Sequence, residues 1–257
     1  MFGSFFWDVP PARRRGRGSV RSMTTTTITF PSALRVVPAL PPGGRRLAFI
    51  GKGGTGKSTT LAHLLAHWAA WGVPCVGIDT DKPGDTENGS LYEWANRVDI
   101  GAPVYPAPAQ HQITSEAHRL TPEKGLGVLD TGAWERRQDG PHLAVLASVD
   151  LVVFCLPPTR MELERAGSIL GALNQLESVG AHVPRLVILQ TLVNNNASSA
   201  VRNRAALERK GFKVLITTVP RNDAQDGYAQ AFGRVPRLVA ESPMENLSYE
   251  LLHEVVA

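Results

Sequence analysis

The ten residues GKGGTGKSTT at positions 51–60 constrain the fold more than any other part of the chain. They sit between the apolar run LAFI (47–50) and LAHLLAHWAAW (61–71), in which Leu61, Leu64, Leu65 and Trp68 recur at helical spacing. Glycine, four residues, glycine, lysine and serine is the pattern of a loop whose backbone N–H groups wrap an anion at the start of a helix. Gly51, Gly53, Gly54 and Gly56 let the backbone turn and approach the anion closely, with Thr55 and Thr59 filling out the cradle. Lys57 is then placed for the β- and γ-phosphates of a nucleotide and Ser58 for Mg²⁺. Such a loop works only with a strand entering and a helix leaving, which is what the flanks offer. Lys52, one position after the first glycine, is a second lysine that the bare pattern does not require.

Downstream, short apolar runs alternate with helical patterns. Strands are expected at 46–50, 75–79, 126–130, 151–156, 186–190 and 213–217, and helices at 58–71, 90–98, 161–178, 200–210, 224–232 and 245–256. The alternation predicts an α/β fold, a mostly parallel β-sheet with helices on both faces. With 257 residues and 43% hydrophobic content, one such domain over 46–257 accounts for the core.

Charge is unevenly spread. Residues 1–46 hold eight arginines against Asp8 alone, so this segment carries +7 and the rest of the chain −3. With RRRGRG, TTTT and PALPPGG it has the composition of a basic, flexible arm over 1–45, and Met23 is an alternative start to Met1. Cys75 and Cys155 each lie alone in an apolar run, which fits a reduced, cytoplasmic interior better than a disulfide or metal framework. No run has the length of a membrane span, and MFGSFFW before ARRRGRG reverses the order of a secretory signal.

In a parallel sheet ligands bind at the carboxyl ends of the strands, and two expected strands end in aspartate. CVGIDTD puts Asp79 and Asp81 at one end, and LGVLDTG puts Asp130 at another. Mg²⁺ on a triphosphate takes one or two carboxylates beside water, so these groups suit a site with Ser58. His63 and His67 stand four apart on the helix after the loop, but without a third ligand they read as packing residues.

Taken together, KGGTGKSTT, VGIDTD, LGVLDTG, VDLVVFCLPPT and TTVPRNDAQDGYAQAFGRVP resemble the ParA/MinD family of deviant-Walker ATPases, and within it the ParA partition branch. The resemblance runs from about Leu47 to Arg237. It implies that Lys52 is the signature lysine, which reaches the phosphates of ATP held by a partner subunit, so that a homodimer forms when ATP is bound. It further implies that Lys57 is the phosphate-loop lysine, that Ser58 and Asp130 serve Mg²⁺, and that Asp81 positions the attacking water. Asp79 and Pro220 complete the nucleotide set, Pro220 lying against the adenine. The family continues Asp-Pro-Gln where this chain reads Asp81-Lys82-Pro83, which leaves Asp85 as an alternative to Asp81.

The resemblance also implies non-specific DNA binding by the dimer and a centromere-binding partner that stimulates ATP hydrolysis. Between residues 202 and 237, Arg202, Arg204, Arg209, Lys210, Lys213, Arg221, Arg234 and Arg237 face three acidic residues, a local excess suited to holding phosphates. A membrane switch of the MinD kind would need a basic amphipathic C-terminal helix, whereas ENLSYELLHEVVA has three glutamates and no lysine or arginine. A small-molecule kinase or ligase would explain Lys57, Ser58 and Asp130 but leave Lys52 idle. An ATPase serving conjugative transfer or plasmid stability would share the same core.

Overall fold

The computed structural model describes residues 30–81, 90–106, 109–134, 140–194 and 198–257. Six strands, β1 (Arg45–Ile50), β2 (Cys75–Asp79), β3 (Val104–Pro106), β4 (Leu126–Asp130), β5 (Leu151–Leu156) and β6 (Arg185–Gln190), form one sheet in the order β3-β2-β4-β1-β5-β6. Every pairing is parallel. The helices are α1 (Lys57–Ala70), α2 (Ser90–Arg97), α3 (Ile113–Leu120), α4 (Gly140–Ala147), α5 (Arg160–Ser178), α6 (Ser199–Arg209) and α7 (Pro243–Val256).

The period of two in β1 sends alternate side chains to opposite faces of the sheet. Leu47 and Phe49 join the core that includes α1 and α7, while Ala48 and Ile50 join the core built with Ile113 of α3, Val145 and Leu146 of α4, and Ile169 of α5. Both faces being covered, the central strands are apolar apart from the charged residues at their ends, as a parallel sheet requires. In α1, Leu61, Leu64, Leu65 and Trp68 are fully buried, each worth about 1.5–3 kcal/mol of transfer free energy. Trp68 donates its indole N–H to the Ser248 carbonyl (3.1 Å), and Trp71 stacks on Tyr249 with ring centroids 4.1 Å apart, which locks α1 to α7. The apolar side of α7 is spent on this internal contact through Leu247, Leu251, Leu252 and Val255. Among the described residues no helix is long and apolar enough to cross a membrane.

The strand expected at 213–217 does not join the sheet as a strand. Only the isolated bridges Ile188↔Val214 and Val193↔Pro220 form. The reason lies in two long-range side chains that take the backbone groups a ladder would use. Buried Glu250 of α7 accepts from the N–H groups of Ile216 (2.5 Å) and Thr217 (2.9 Å). Arg204 of α6 donates to the carbonyls of Val214 (3.2 Å), Leu215 and Ile216 (3.3 Å).

The helix expected at 224–232 is also replaced, by a single 3₁₀ turn, Tyr228–Gln230. Asn222 competes for the backbone there, its Oδ1 accepting from Ala224 N–H (3.2 Å) and its carbonyl from Ala229 N–H (3.1 Å). Three short elements escape the sequence pattern: β3, α3 and α4. β3 is an edge strand of three residues ending in proline, tolerable only at an edge.

The basic arm expected over 1–45 is anchored from Phe30 onward. Phe30 and Leu40 are buried, Arg35 bonds Asn246 (3.0 Å) and pairs with Glu241 (3.3 Å), and His253 of α7 donates to the carbonyls of Leu34 (3.1 Å) and Val36 (3.0 Å). Arg45 opens β1, and Arg46 pairs with Asp150 (3.3 Å) at the base of β5. The arginines at 13, 14, 15, 17 and 21 lie outside the described residues.

Candidate functional site

The loop from Gly51 to Gly56 joins the end of β1 to the first residue of α1. Gly51 (φ 153°), Gly54 (φ 78°) and Gly56 (φ 83°) adopt backbone that side chains disfavour. At Gly51 space forbids a side chain as well, since a Cβ would lie 2.7 Å from the Cys155 carbonyl oxygen. The Thr55 hydroxyl donates to the Lys52 carbonyl (2.9 Å) and closes the turn.

The two lysines occupy opposite environments. Lys57 is buried and folds back across the loop, its Nζ donating to the carbonyls of Gly51 (3.1 Å) and Lys52 (3.3 Å). Lys52 is exposed, and its ammonium has no partner among the described residues.

Below the loop, parallel pairing aligns Asp79 with Asp130 across β2 and β4. Asp130 is 1% exposed, with the Ser58 hydroxyl near its carboxylate, and its Oδ1 is buried with no hydrogen-bond partner. Burial pushes its carboxyl up to about 7, the neighbouring Asp79 charge adding to the rise and the nearby Ser58 hydroxyl and Lys57 charge opposing it. An orphaned carboxylate oxygen beside a hydroxyl is a hard oxygen pair, and it fits Mg²⁺.

Asp79 is differently employed. Its Oδ1 accepts from Asp81 N–H (3.1 Å) and its Oδ2 from Tyr92 N–H (2.9 Å), so it ties the loop after β2 to the first turn of α2. Burial raises its pKa, the amide bonds pulling the other way. Asp79 therefore braces the site, and Asp81, half-exposed, is the aspartate of the pair that lines the cleft. Asp85 lies outside the described residues.

The cleft has a volume of about 790 Å³. Its floor is the loop with Ser58, Thr59 and Thr60, and Asp81, Thr131 and Ala133 stand at one side. The opposite wall is Thr191, Leu192 and the segment from Val219 to Asp223, including Pro220 and Arg221. Trp94, Tyr228 and Phe232 complete it, Trp94 packing edge-on against Phe232 (5.5 Å) and bonding the Arg234 carbonyl (2.8 Å). The aromatic residues and Leu192, a non-glycine residue at φ 52°, escape sequence reasoning, because no local pattern marks residues brought together from α2 and two loops.

His63 and His67 pack as expected. His63 donates Nδ1–H to the Thr59 carbonyl (2.8 Å) and lies edge-on to Tyr228 (5.3 Å), and burial lowers both histidines' pKa values. No group of three candidate metal-ligating residues of the His, Cys, Asp and Glu types occurs among the described residues. Both cysteines are buried and free, burial pushing each thiol up to about 12.

The eight basic residues of 202–237 do not form one uniform surface. Arg204 is 15% exposed and serves the backbone of 214–216. Lys213 pairs with Glu254 (2.6 Å), Arg221 with Asp223 (2.6 Å) and Arg237 with Asp226 (2.5 Å), and Arg234 donates to the Gln225 carbonyl (2.8 Å). Arg202, Arg209 and Lys210 are exposed along and just after α6.

No family model matches the chain. It is 26% identical over 242 residues to the chromosome-partitioning ATPase Soj of Thermus thermophilus, covering 83% of this chain and 96% of Soj. Among solved structures it resembles a ParA family ATPase from Chlorobium tepidum (TM-score 0.56, 16% identity, 81% of this chain and 97% of the other). It also resembles cobyrinic acid a,c-diamide synthase from Mycobacterium smegmatis with bound ADP and magnesium (TM-score 0.58, 16% identity, 82% and 94%).

Proposed function

We propose that this chain, a member of the ParA/MinD family of phosphate-loop ATPases, is an ATP-driven switch of the ParA type. It binds ATP with Mg²⁺ in the cleft, dimerises around the nucleotide, holds DNA without sequence preference as a dimer and is reset by hydrolysis while a plasmid or chromosome is partitioned. The observation that carries this reading is the contrast between the two loop lysines: Lys57 turned inward over the loop and Lys52 exposed without a partner among the described residues. A kinase or ligase built on this loop has work for Lys57 but none for Lys52. The likeness to Soj over 96% of its length supports the partition branch.

In this reading the N–H groups of residues 53–59 receive the phosphates, and Lys57 exchanges its two carbonyl partners for phosphate oxygens. Ser58 and Asp130 would hold Mg²⁺, which when bound spreads the charge of the β- and γ-phosphates. Asp81, at the edge of the cleft, orients the attacking water, since phosphoryl transfer chiefly needs an aligned nucleophile and neutralised charge. Pro220 and the wall around it face the base. Lys52 reaches the ATP of the second subunit, so dimerisation depends on nucleotide, and a centromere-binding partner accelerates the return to ADP. DNA is held by the exposed Arg202, Arg209 and Lys210 through its phosphates, a grip that is weak in one subunit and strengthened when two subunits act together. The protein acts in the cytoplasm, on the nucleoid when ATP-bound.

Sedimentation velocity with ATP and Mg²⁺ tests the core of this proposal. Wild type should shift from monomer to dimer, and Lys52→Ala should bind ATP yet stay monomeric. A wild-type chain that binds ATP and remains a monomer overturns the switch and favours a ligase-type use of the fold.

A further inference from the structure

Gly132 follows Asp130 and Thr131 just beyond β4. Its backbone is outside the left-handed region, so conformation does not require glycine there. Space does. A Cβ at this position would lie 2.6 Å from Asp81 Oδ1 and 3.4 Å from Asp81 Cγ, and its third nearest neighbour is the Asp81 Cα at 3.9 Å. All three nearest atoms belong to one residue 51 positions earlier in sequence.

Asp81 has little freedom to step aside by moving its backbone. Its N–H is held by Asp79 Oδ1 (3.1 Å), and Asp79 is in turn held by Tyr92 N–H (2.9 Å). Thr80, the preceding residue, donates both its N–H and its hydroxyl to the Asp130 carbonyl, 2.7 Å each. The turn after β2 is thus fastened to the end of β4 two residues before Gly132. With the turn after β2 so tethered, a methyl group on residue 132 displaces first the atom it meets most closely, the Asp81 carboxylate, which rotates out of its place at the cleft edge.

We infer that Gly132 is a positioning residue for hydrolysis: its bare backbone is the seat that aims the Asp81 carboxylate into the cleft. This rests on the role proposed above for Asp81 and adds to it the residue that fixes its geometry. Gly132 itself touches neither substrate nor reacting atoms.

The test is a double-mutant cycle of Asp81→Ala, Gly132→Ala and the pair, read by ATP affinity, hydrolysis rate and melting temperature. Gly132→Ala should keep ATP affinity, lower the melting temperature and slow hydrolysis about a hundredfold, the scale of a misplaced catalytic group. In the Asp81→Ala background the same methyl meets open space and should change neither hydrolysis nor melting temperature. If Gly132→Ala alone fails to fold, recovery of a folded chain in the double variant supports the seat equally. Losses that add across the two backgrounds overturn the inference. Wild-type hydrolysis by Asp81→Ala would instead refute the proposed role of Asp81, and the melting-temperature cycle separates that failure from a failure of the seat.

Discussion

Arg204→Ala separates a structural arginine from a DNA-binding one. The Arg204 guanidinium is 15% exposed and donates to three carbonyls, those of Val214, Leu215 and Ile216. Hydrogen bonds from a charged donor contribute about 1.5–3 kcal/mol each, but the bonds share one cation and part of the loss is regained by water. A loss of about 3 kcal/mol is therefore the expectation, within the range for breaking a partly buried charged network. The salt bridge to Glu208, which is half exposed, adds little. For a chain of this size such a loss lowers the melting temperature by roughly 6–12 °C. Thermal melts monitored by circular dichroism read this directly. DNA affinity of the remaining folded protein, compared at a temperature where both proteins are native, should be unchanged. A melting temperature within a degree of wild type together with a clear loss of DNA affinity would refute the assignment of Arg204 to the 214–216 backbone.

The raised Asp130 pKa gives a signed pH dependence. Without Mg²⁺ the folded chain keeps a proton on this carboxyl up to about 7, whereas its ordinary value is 3.8, so its contribution to stability falls as pH rises through that interval. Calorimetry of metal-free Asp130→Asn should show a melting temperature above wild type at pH 8, a gap that closes toward pH 4; a gap that widens on acidification contradicts the burial argument. Lys57→Ala should abolish ATP binding in titration calorimetry, because among the described residues no other charged side chain donates to the carbonyls of the loop. Replacing Arg202, Arg209 or Lys210 singly should lower the salt slope of ATP-dependent binding to random duplex by about one for each phosphate no longer neutralised, and an unchanged slope for all three removes α6 from the DNA surface.

The centre of the fold was legible because its determinants are local. The strand, loop and helix from Arg45 to Ala70 are written in consecutive residues, and the strand-end aspartates follow from apolar runs of the right length. What was not legible depends on partners distant in sequence. Residues 213–217 carry a strand's composition, yet Glu250 and Arg204 claim their backbone groups from other helices. Asp79 reads as a ligand in isolation and proves to be the brace of a helix whose Tyr92 amide lies 13 residues on. The basic set between 202 and 237 was visible as composition, but its pairing with Asp223, Asp226 and Glu254 is a property of the folded surface. Gly132 stood in plain view in LDTG, and only the approach of Asp81 explains why it is glycine.

The two buried thiols also make the molecule convenient for optical work. Cys75 and Cys155 are the chain's entire cysteine complement, and with both pushed up to about 12 neither presents a reactive thiolate near neutral pH. A cysteine introduced at Val179, which is 72% exposed beyond the end of α5, would be the one position open to a maleimide dye. The native chain is thus its own background for single-site labelling, and the fluorescence of that dye could follow assembly in real time without first removing any residue from the core.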